Sequence, residues 1–140
     1  MLLTQFDPAR HAVIDPDMVF HPIPGFPETV VSIFSHQLFG AVLNFLGGTK
    51  IAETHDVDGD WPIYEVTYNG HRFAYYKARL GAPACVGCFE DVIAFGAKRL
   101  ILLGNCGVLD KDIRDCGVII PTAARTGTTR ASAMPAIMLS

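Results

Sequence analysis

The fold class follows first from the stretch Arg99-Leu-Ile-Leu-Leu-Gly-Asn-Cys-Gly107. Its opening residues are almost continuously apolar, which is typical of a strand buried on both faces of an α/β sheet. The strand then ends in a tight turn of small residues. Just upstream, Gly81-Ala-Pro83 opens a helix that we expect to run through residue 95, with proline in its first turn and Gly96 as its stop. A helix that leads into a buried strand indicates an α/β fold.

The flanking segments extend this pattern. Residues 28–34 are rich in β-branched side chains and predict a strand. Ser35 is a suitable N-cap for a helix over residues 36–45, and Gly47 follows as its C-terminal stop. A further short, buried strand is predicted over residues 118–121.

A hairpin is predicted in the middle of the chain. Asn69-Gly70 separates two runs of aromatic and β-branched residues, 62–68 and 71–78, and Asn-Gly is the strongest short hairpin signal. Residues 50–54 predict a short strand. Residues 55–60 predict a solvated acidic turn, because their Asp-x-Asp-Gly-Asp order lacks the closing glutamate of a calcium loop. Strands that alternate with helices, together with one hairpin, predict a mixed sheet.

Composition excludes several classes of protein. The chain has 140 residues, of which 50% are hydrophobic and 18% charged, with a net charge of −3. Such a chain is neither disordered nor a general nucleic-acid binder. It has no long apolar span and no basic, secretory start, so we expect no membrane segment and a cytoplasmic location.

Cysteine and histidine positions argue against a metal site. Cys85 and Cys88 have the spacing of a metal or redox pair, but Cys106 and Cys116 do not form the second pair of a zinc ribbon. We therefore expect small, buried thiols. The five histidines are scattered, and no two have ligand spacing.

Three glycine turns are candidate ligand loops, because ligands of open α/β sheets bind where glycine turns follow strands. One turn, residues 24–27, precedes its strand. The other two, residues 79–83 and 104–107, follow theirs.

Taken together, these turns resemble the nucleoside phosphorylase family, which includes uridine phosphorylase, hexameric purine nucleoside phosphorylase and the methylthioadenosine nucleosidases. The resemblance rests on Gly81-Ala-Pro83, Glu90-Asp91, Gly96-Ala-Lys98, Gly104-Asn-Cys-Gly107 and Val118-Ile-Ile-Pro-Thr-Ala123, which fit the family pattern without gaps. Gly25-Phe-Pro-Glu-Thr-Val30 further resembles the family's early phosphate loop, so the likeness spans about residues 20–124.

The resemblance implies a three-layer α/β/α fold with a mixed central sheet, truncated to its N-terminal half. It also implies cleavage of the N-glycosidic bond of a purine or pyrimidine nucleoside by phosphate, or by water as in the nucleosidases. The ligands would be nucleoside and inorganic phosphate, with no metal or organic cofactor. Family members form dimers or dimer-based hexamers, so a homo-oligomer is expected.

The same resemblance assigns candidate site residues. Gly25 and Asn105 match phosphate-contacting positions. Gly81, and beside it Ala82, Cys106 and Gly107, match the nucleoside pocket. A histidine of the N-terminal arm, His11 or His21, would reach the ribose of a neighbouring subunit.

Two departures put phosphate binding in question. The family's two phosphate-clamping arginines fall on Thr29 and Leu102 in this sequence. Each guanidinium–phosphate contact is worth about 1.5–3 kcal/mol. Arg79, or Lys77 before it, would restore positive charge to the pocket; the alternative is that they are surface cations at a strand end.

The expected organisation is an N-terminal arm over residues 1–24, a phosphorylase-like domain over 25–124 and an atypical tail over 125–140. The tail lacks acidic residues, and a frameshift near Ala124 would explain it; a genuine short paralogue is the alternative. Function divides in the same way, between a nucleoside-cleaving protein when complete and a catalytically inactive paralogue that binds nucleoside or another subunit.

Overall fold

The structure, a computed structural model, describes residues 14–107 and 118–121. In chain order its elements are α1 (Pro16–Val19), β1 (Thr29–Ile33), α2 (His36–Leu46), β2 (Thr49–Asp56), β3 (Gly59–Tyr68), β4 (His71–Lys77), α3 (Ala82–Phe95) and β5 (Arg99–Leu103). The predicted arm histidine His11, Cys116 and the tail over 125–140 lie outside the described residues. No helix among the described residues is long and apolar enough to cross a bilayer.

The chain divides into two compact units. One is His11–Cys106 and contains all the helices and strands of the described residues; the other comprises Met1–Arg10 and Gly107–Ser140. In the second unit, the described residues 118–121 have no regular secondary structure and are exposed. The prediction of a buried strand there is wrong. Apolar, β-branched residues make a strand only when a neighbouring strand supplies hydrogen bonds, so composition alone does not determine a strand here.

The sheet is mixed, as predicted. Its order is β2-β3-β4-β1-β5. The first three strands form an antiparallel meander, whereas β1 runs parallel to both β4 and β5. The carboxyl ends of these parallel strands therefore meet on one side of the sheet, which we call the carboxyl end.

Two hairpins build the meander. At the β3–β4 turn, Asn69 and Gly70 both have positive φ (48° and 78°), as a type I′ turn requires, so the predicted hairpin is confirmed. The second hairpin corrects the sequence prediction, because β2 continues to Asp56 and β3 begins at Gly59. The turn is tight because the Asp56 carboxylate accepts a hydrogen bond from the Asp58 amide (2.7 Å).

Helices cover both faces of the sheet. On one face, α3 packs through Cys88, Val92 and Phe95 against the core residues Val30, Ile63, Ala74 and Tyr76. On the other face, α2 packs on a smaller core of Ile33, Val66 and Tyr75. This arrangement gives the expected α/β/α layers.

The predicted helix ends are confirmed. Ser35 Oγ accepts a hydrogen bond from the Leu38 amide (3.3 Å), and the glycines after α2 and α3, Gly47 and Gly96, have positive φ. The short helix α1 lies in the segment predicted to be irregular, with Pro16 in its first turn.

The cysteine prediction holds in part. Cys85 and Cys88 are buried, but Cys106 is exposed because it follows the turn at Gly104 and does not belong to a packed element.

Candidate functional site

Three chain segments meet at the carboxyl end of the sheet. The Ala78 amide donates to the Ile33 carbonyl (2.9 Å), and the Phe34 amide donates to the Leu103 carbonyl (3.2 Å). These hydrogen bonds hold the segments after β4, β1 and β5 side by side. Parallel strands of α/β sheets bind ligands at this end, so it is the candidate site.

Gly81 and Ala82 lie where β4 leads into α3. Gly81 is the N-cap residue, with φ of 95°, and a Cβ added there would meet no atom within 4 Å. Ala82 is the first residue of α3, and both residues are exposed. The positive φ requires glycine, and the helix start exposes amide groups that favour an anion. The structure therefore leaves the predicted nucleoside-pocket residues Gly81 and Ala82 open to a ligand.

Asn105 and Cys106 follow β5 at the same end of the sheet, and both are exposed. Before them, Gly104 packs under the Phe34 ring, where an added Cβ would come within 3.0 Å of Phe34 Cδ2. The absence of a side chain at Gly104 thus lets the segments after β1 and β5 approach each other. Gly107 is exposed and belongs to the other compact unit.

Gly25 does not join this group. It precedes β1, and its carbonyl accepts a hydrogen bond from Nη2 of Arg72, the second residue of β4 (2.7 Å). Both features place it at the amino end of the parallel strands, opposite Gly81 and Asn105. The likeness of Gly25-Phe-Pro-Glu-Thr-Val30 to the family's phosphate loop predicts a place in the site. Residues 24–27 precede β1, however, and their position before the strand indicates the opposite end of the sheet. The segment that follows β1, beginning at Phe34 and Ser35, takes the corresponding place at the carboxyl end.

The two positions at which the sequence lacks the expected arginines, Thr29 and Leu102, lie at opposite ends of their parallel strands. The Thr29 hydroxyl accepts a hydrogen bond from Arg99 Nε (3.0 Å) at the amino end of β1. Leu102 lies within β5 and is 42% exposed. Thr29 begins β1 and Gly25 precedes β1. Both residues therefore lie at the amino end, away from the candidate site.

Arg79 is at the carboxyl end, but its charge is already paired. Its Nη2 forms an ion pair with Asp56 Oδ2, and its guanidinium carbon lies 4.5 Å from the centroid of the Trp61 ring. The Trp61 indole donates to Asp56 Oδ1 (3.3 Å), so each of the three side chains contacts the other two. We call this group the Asp56–Trp61–Arg79 clamp. Lys77 Nζ lies 5.5 Å from the same ring centroid.

The surroundings of the clamp shift several protonation equilibria. Desolvation works to raise the pKa of Asp56, but hydrogen bonds from the Asp58 amide and the Trp61 indole and the charge of Arg79 outweigh it, so the pKa is lowered. Burial raises the pKa of Asp91 and of the Cys85 and Cys88 thiols. Burial therefore favours the protonated form of the two thiols, which is the less nucleophilic form.

His21 and a polar cluster on the β2–β3 hairpin complete the candidate residues. His21 is exposed, and the neighbouring Ile23 amide donates to the Phe95 carbonyl, at the C-terminal end of α3. Within one chain, His21 is thus away from Gly81.

Glu53, His55 and Asp60 bring one potential ligand atom each to within 4.8 Å of one another. His55 Nδ1 lies 2.7 Å from Asp60 Oδ1, so these exposed groups already pair with one another.

No family model matches the sequence. Among curated proteins, it is 31% identical over 85 residues to a purine nucleoside phosphorylase DeoD-type of Aliivibrio salmonicida, a match covering 59% of this chain and 34% of that protein. It is 36% identical over 50 residues to a purine nucleoside phosphorylase of Plasmodium vivax, covering 36% of this chain and 20% of that protein. The chain thus spans about a third or less of the curated relatives it matches.

Solved structures share the fold. The chain aligns with a uridine phosphorylase of Vibrio fischeri at a TM-score of 0.51 and 16% identity, over 62% of this chain and 35% of that one. It aligns with a P. knowlesi homologue of P. falciparum PNP at a TM-score of 0.51 and 22% identity, over 80% of this chain and 41% of that one. These structures define the class as proteins with the phosphorylase fold. With the sequence matches, they show that the chain is similar over its matched part to nucleoside phosphorylases.

Proposed function

We propose that this chain forms part of a nucleoside-cleaving protein and binds a nucleoside at the carboxyl end of β1, β4 and β5. One observation carries the proposal: the two family-like turns, around Gly81 and Gly104, lie at that same end, after the two strands that flank β1. The sequence match to purine nucleoside phosphorylases supports the class of substrate.

In the proposed reaction, an oxygen of phosphate or of water bonds to C1′ of the nucleoside while the C1′–N bond breaks. The bonding electrons leave with the base, which takes up a proton. Charge develops on the ribose and on the base, so the protein acts by positioning and by electrostatics. The exposed start of α3 offers amides to an anionic nucleophile, and the Asn105 side chain offers an amide donor.

The proposed site retains four of the residues expected from the family. Gly81 and Ala82 form the wall after β4, while Asn105 and Cys106 form the wall after β5. Gly25 is left out because it lies at the amino end, and Arg79 because Asp56 pairs with it.

The test is to incubate the chain with inosine or uridine, with and without phosphate, and to separate the products by chromatography. Phosphorolysis predicts free base and ribose 1-phosphate in proportion to phosphate. Hydrolysis predicts free base and ribose at the same rate in both arms. Should no base appear, and calorimetry detect no binding of either nucleoside, the proposal would be refuted.

A matched pair of variants tests the location. Gly81→Ala and Gly70→Ala each place a methyl group at a positive φ with nothing within 4 Å, one at the carboxyl end and one at the β3–β4 turn. Each substitution strains the backbone, at a cost of order 1 kcal/mol or more. We expect Gly81→Ala to weaken nucleoside binding and Gly70→Ala to leave it unchanged. Equal effects would place the site elsewhere.

We also propose that the protein acts as a homo-oligomer in the cytoplasm, in which His11 or His21 of one subunit reaches the ribose site of another. The family resemblance supports this assembly. Light scattering on the purified chain tests it, because a single monomeric species at all concentrations would contradict it.

A further inference from the structure

Arg79 occupies an unusual position for a cation at the candidate site. It lies in the four-residue connection between β4 and α3, two residues before the N-cap Gly81. Its side chain is only 19% exposed, and Asp56, its ion-pair partner, is 24% exposed. A cation held in this way by an acid and an aromatic ring is not free to clamp an external anion. Its contacts with Asp56 and Trp61 instead act on the connection between β4 and α3.

The rest of the connection has few restraints. Ala78 is buried and bonded through its amide to β1, whereas Leu80 is 82% exposed and Gly81 has open space around its Cβ position. Arg79 is thus the residue whose side chain ties the connection to another part of the sheet. That part is the β2–β3 hairpin, which supplies both Asp56 and Trp61.

Both carboxylate oxygens of Asp56 have partners within the β2–β3 hairpin or the clamp. Asp56 Oδ1 accepts from the Asp58 amide (2.7 Å) and from the Trp61 indole (3.3 Å), and Oδ2 takes the Arg79 guanidinium. The hairpin therefore presents a fixed carboxylate at the level where β4 ends. A planar guanidinium can pair with a carboxylate and stack on an aromatic ring at the same time, which an ammonium group does less well.

We propose that Arg79 is a positioning residue: through Asp56 and Trp61 it fixes the β4–α3 connection, so that Gly81 and the first turn of α3 face the ligand. This role rests on the proposed nucleoside site. It assigns a function to the β2–β3 hairpin, which otherwise contributes no residue to that site.

The test is a double-mutant cycle on the full 140-residue chain. Asp56→Asn removes the charge with little change of shape, Arg79→Met keeps the apolar stem, and the two are combined. Glu53→Gln is the control, because it breaks an ion pair with Lys50 on the same hairpin without touching Arg79. Calorimetry gives the dissociation constants for inosine and uridine. Thermal melting, and the emission of Trp61, the single tryptophan of the chain, report on the fold and the clamp.

We expect each single variant to bind nucleoside about tenfold more weakly, which is a loss of about 1.4 kcal/mol. The double variant should bind no more weakly than either single variant, so the coupling between the two residues should also be about 1.4 kcal/mol. Arg79→Lys should recover part of the affinity. Trp61 emission should shift to longer wavelength in Asp56→Asn and Arg79→Met, and Glu53→Gln should match the wild type in all three measurements.

Two other results would each overturn a different claim. If Trp61 emission shifts and the variants melt above the assay temperature, yet bind nucleoside like the wild type, the positioning role is wrong and the site stands. If the wild-type chain itself binds neither nucleoside, the proposed site fails, and the positioning role fails with it.

Discussion

The two faces of the sheet are packed to different degrees. On the α3 face, α3 and the chain before β1 bury a continuous core that includes Val30, Ile63 and Val92, each at most 2% exposed. On the α2 face, no residue of α2 is fully buried, and Phe45 is 82% exposed. A largely apolar cavity of about 450 Å³ lies between α2 and the strands, lined by Ile33, Leu46, Tyr75 and others.

The difference shows which helix holds the sheet together. Close-packed side chains lose dispersion contacts and burial when they are shortened, whereas side chains that line an open cavity have fewer contacts to lose. The α3 face should therefore carry most of the stability of the described part of the chain. Both helices begin at the carboxyl end of the sheet, but it is α3 that follows the ligand loop after β4, so this loop is anchored to the tighter core.

The largest expected effect comes from one substitution on each face. Ile63→Ala and Leu46→Ala each remove three carbons, the first from a site that is 2% exposed and the second from the cavity wall. We expect Ile63→Ala to lower the free energy of unfolding by about 2–5 kcal/mol. Leu46→Ala should cost about 1 kcal/mol, because it is already partly exposed to water. Urea denaturation measures both. Equal losses would show that α2 is packed as tightly as α3.

A smaller effect is expected at Tyr75, whose ring stacks on Phe39 at 5.1 Å on the α2 face. Its hydroxyl is buried and, within the described residues, has no hydrogen-bond partner. A buried hydroxyl without a partner costs about 1–3 kcal/mol, so Tyr75→Phe should raise the free energy of unfolding, by about 1 kcal/mol. The exposed Tyr68, which lines the same cavity, is the control: Tyr68→Phe should leave stability unchanged. A loss of stability in Tyr75→Phe would mean that its hydroxyl is hydrogen-bonded.

Local signals predicted most of the fold. Asn69-Gly70, Ser35 and Gly96 each act through the backbone of their own neighbourhood, so their positions could be predicted from short stretches of sequence. The extent of β2 and β3 could not, because polar residues such as His55 and Asp60 pair across strands only once the strands are adjacent. The prediction for residues 118–121 was wrong for the converse reason: their composition favours a strand, but composition alone does not supply a pairing partner, and they have no regular secondary structure.

The candidate site was predicted in part. The turns at Gly81 and Gly104 follow parallel strands, so their meeting at one end of the sheet follows from strand order. Gly25 matches a short family motif, but it precedes β1 and therefore lies at the other end of the sheet. The clamp was not predicted at all. Asp56 and Arg79 are brought together by the antiparallel meander, and no local pattern in the sequence indicates that pairing.

The smallest expected effect tests whether the tight α3 face also carries an electrostatic cost. Asp91 lies on α3, and burial raises its pKa; Arg79 opposes this, while Glu90 and Asp56 add to it. An acid with a raised pKa in the folded state binds its proton more tightly there than in the unfolded chain. Stability is therefore lost as pH rises from below the unfolded pKa through the folded one.

Asp91→Asn, which stays neutral, should equal the wild type below about pH 4 and exceed it at neutral pH. The gain should be about 0.5 kcal/mol or less, because Asp91 is only half-buried and Arg79 attracts its charge. Urea denaturation at both pH values measures it. If Asp91→Asn is instead less stable at neutral pH, the attraction between Asp91 and Arg79 outweighs burial. In that case Arg79 would be held from α3 as well as from the β2–β3 hairpin.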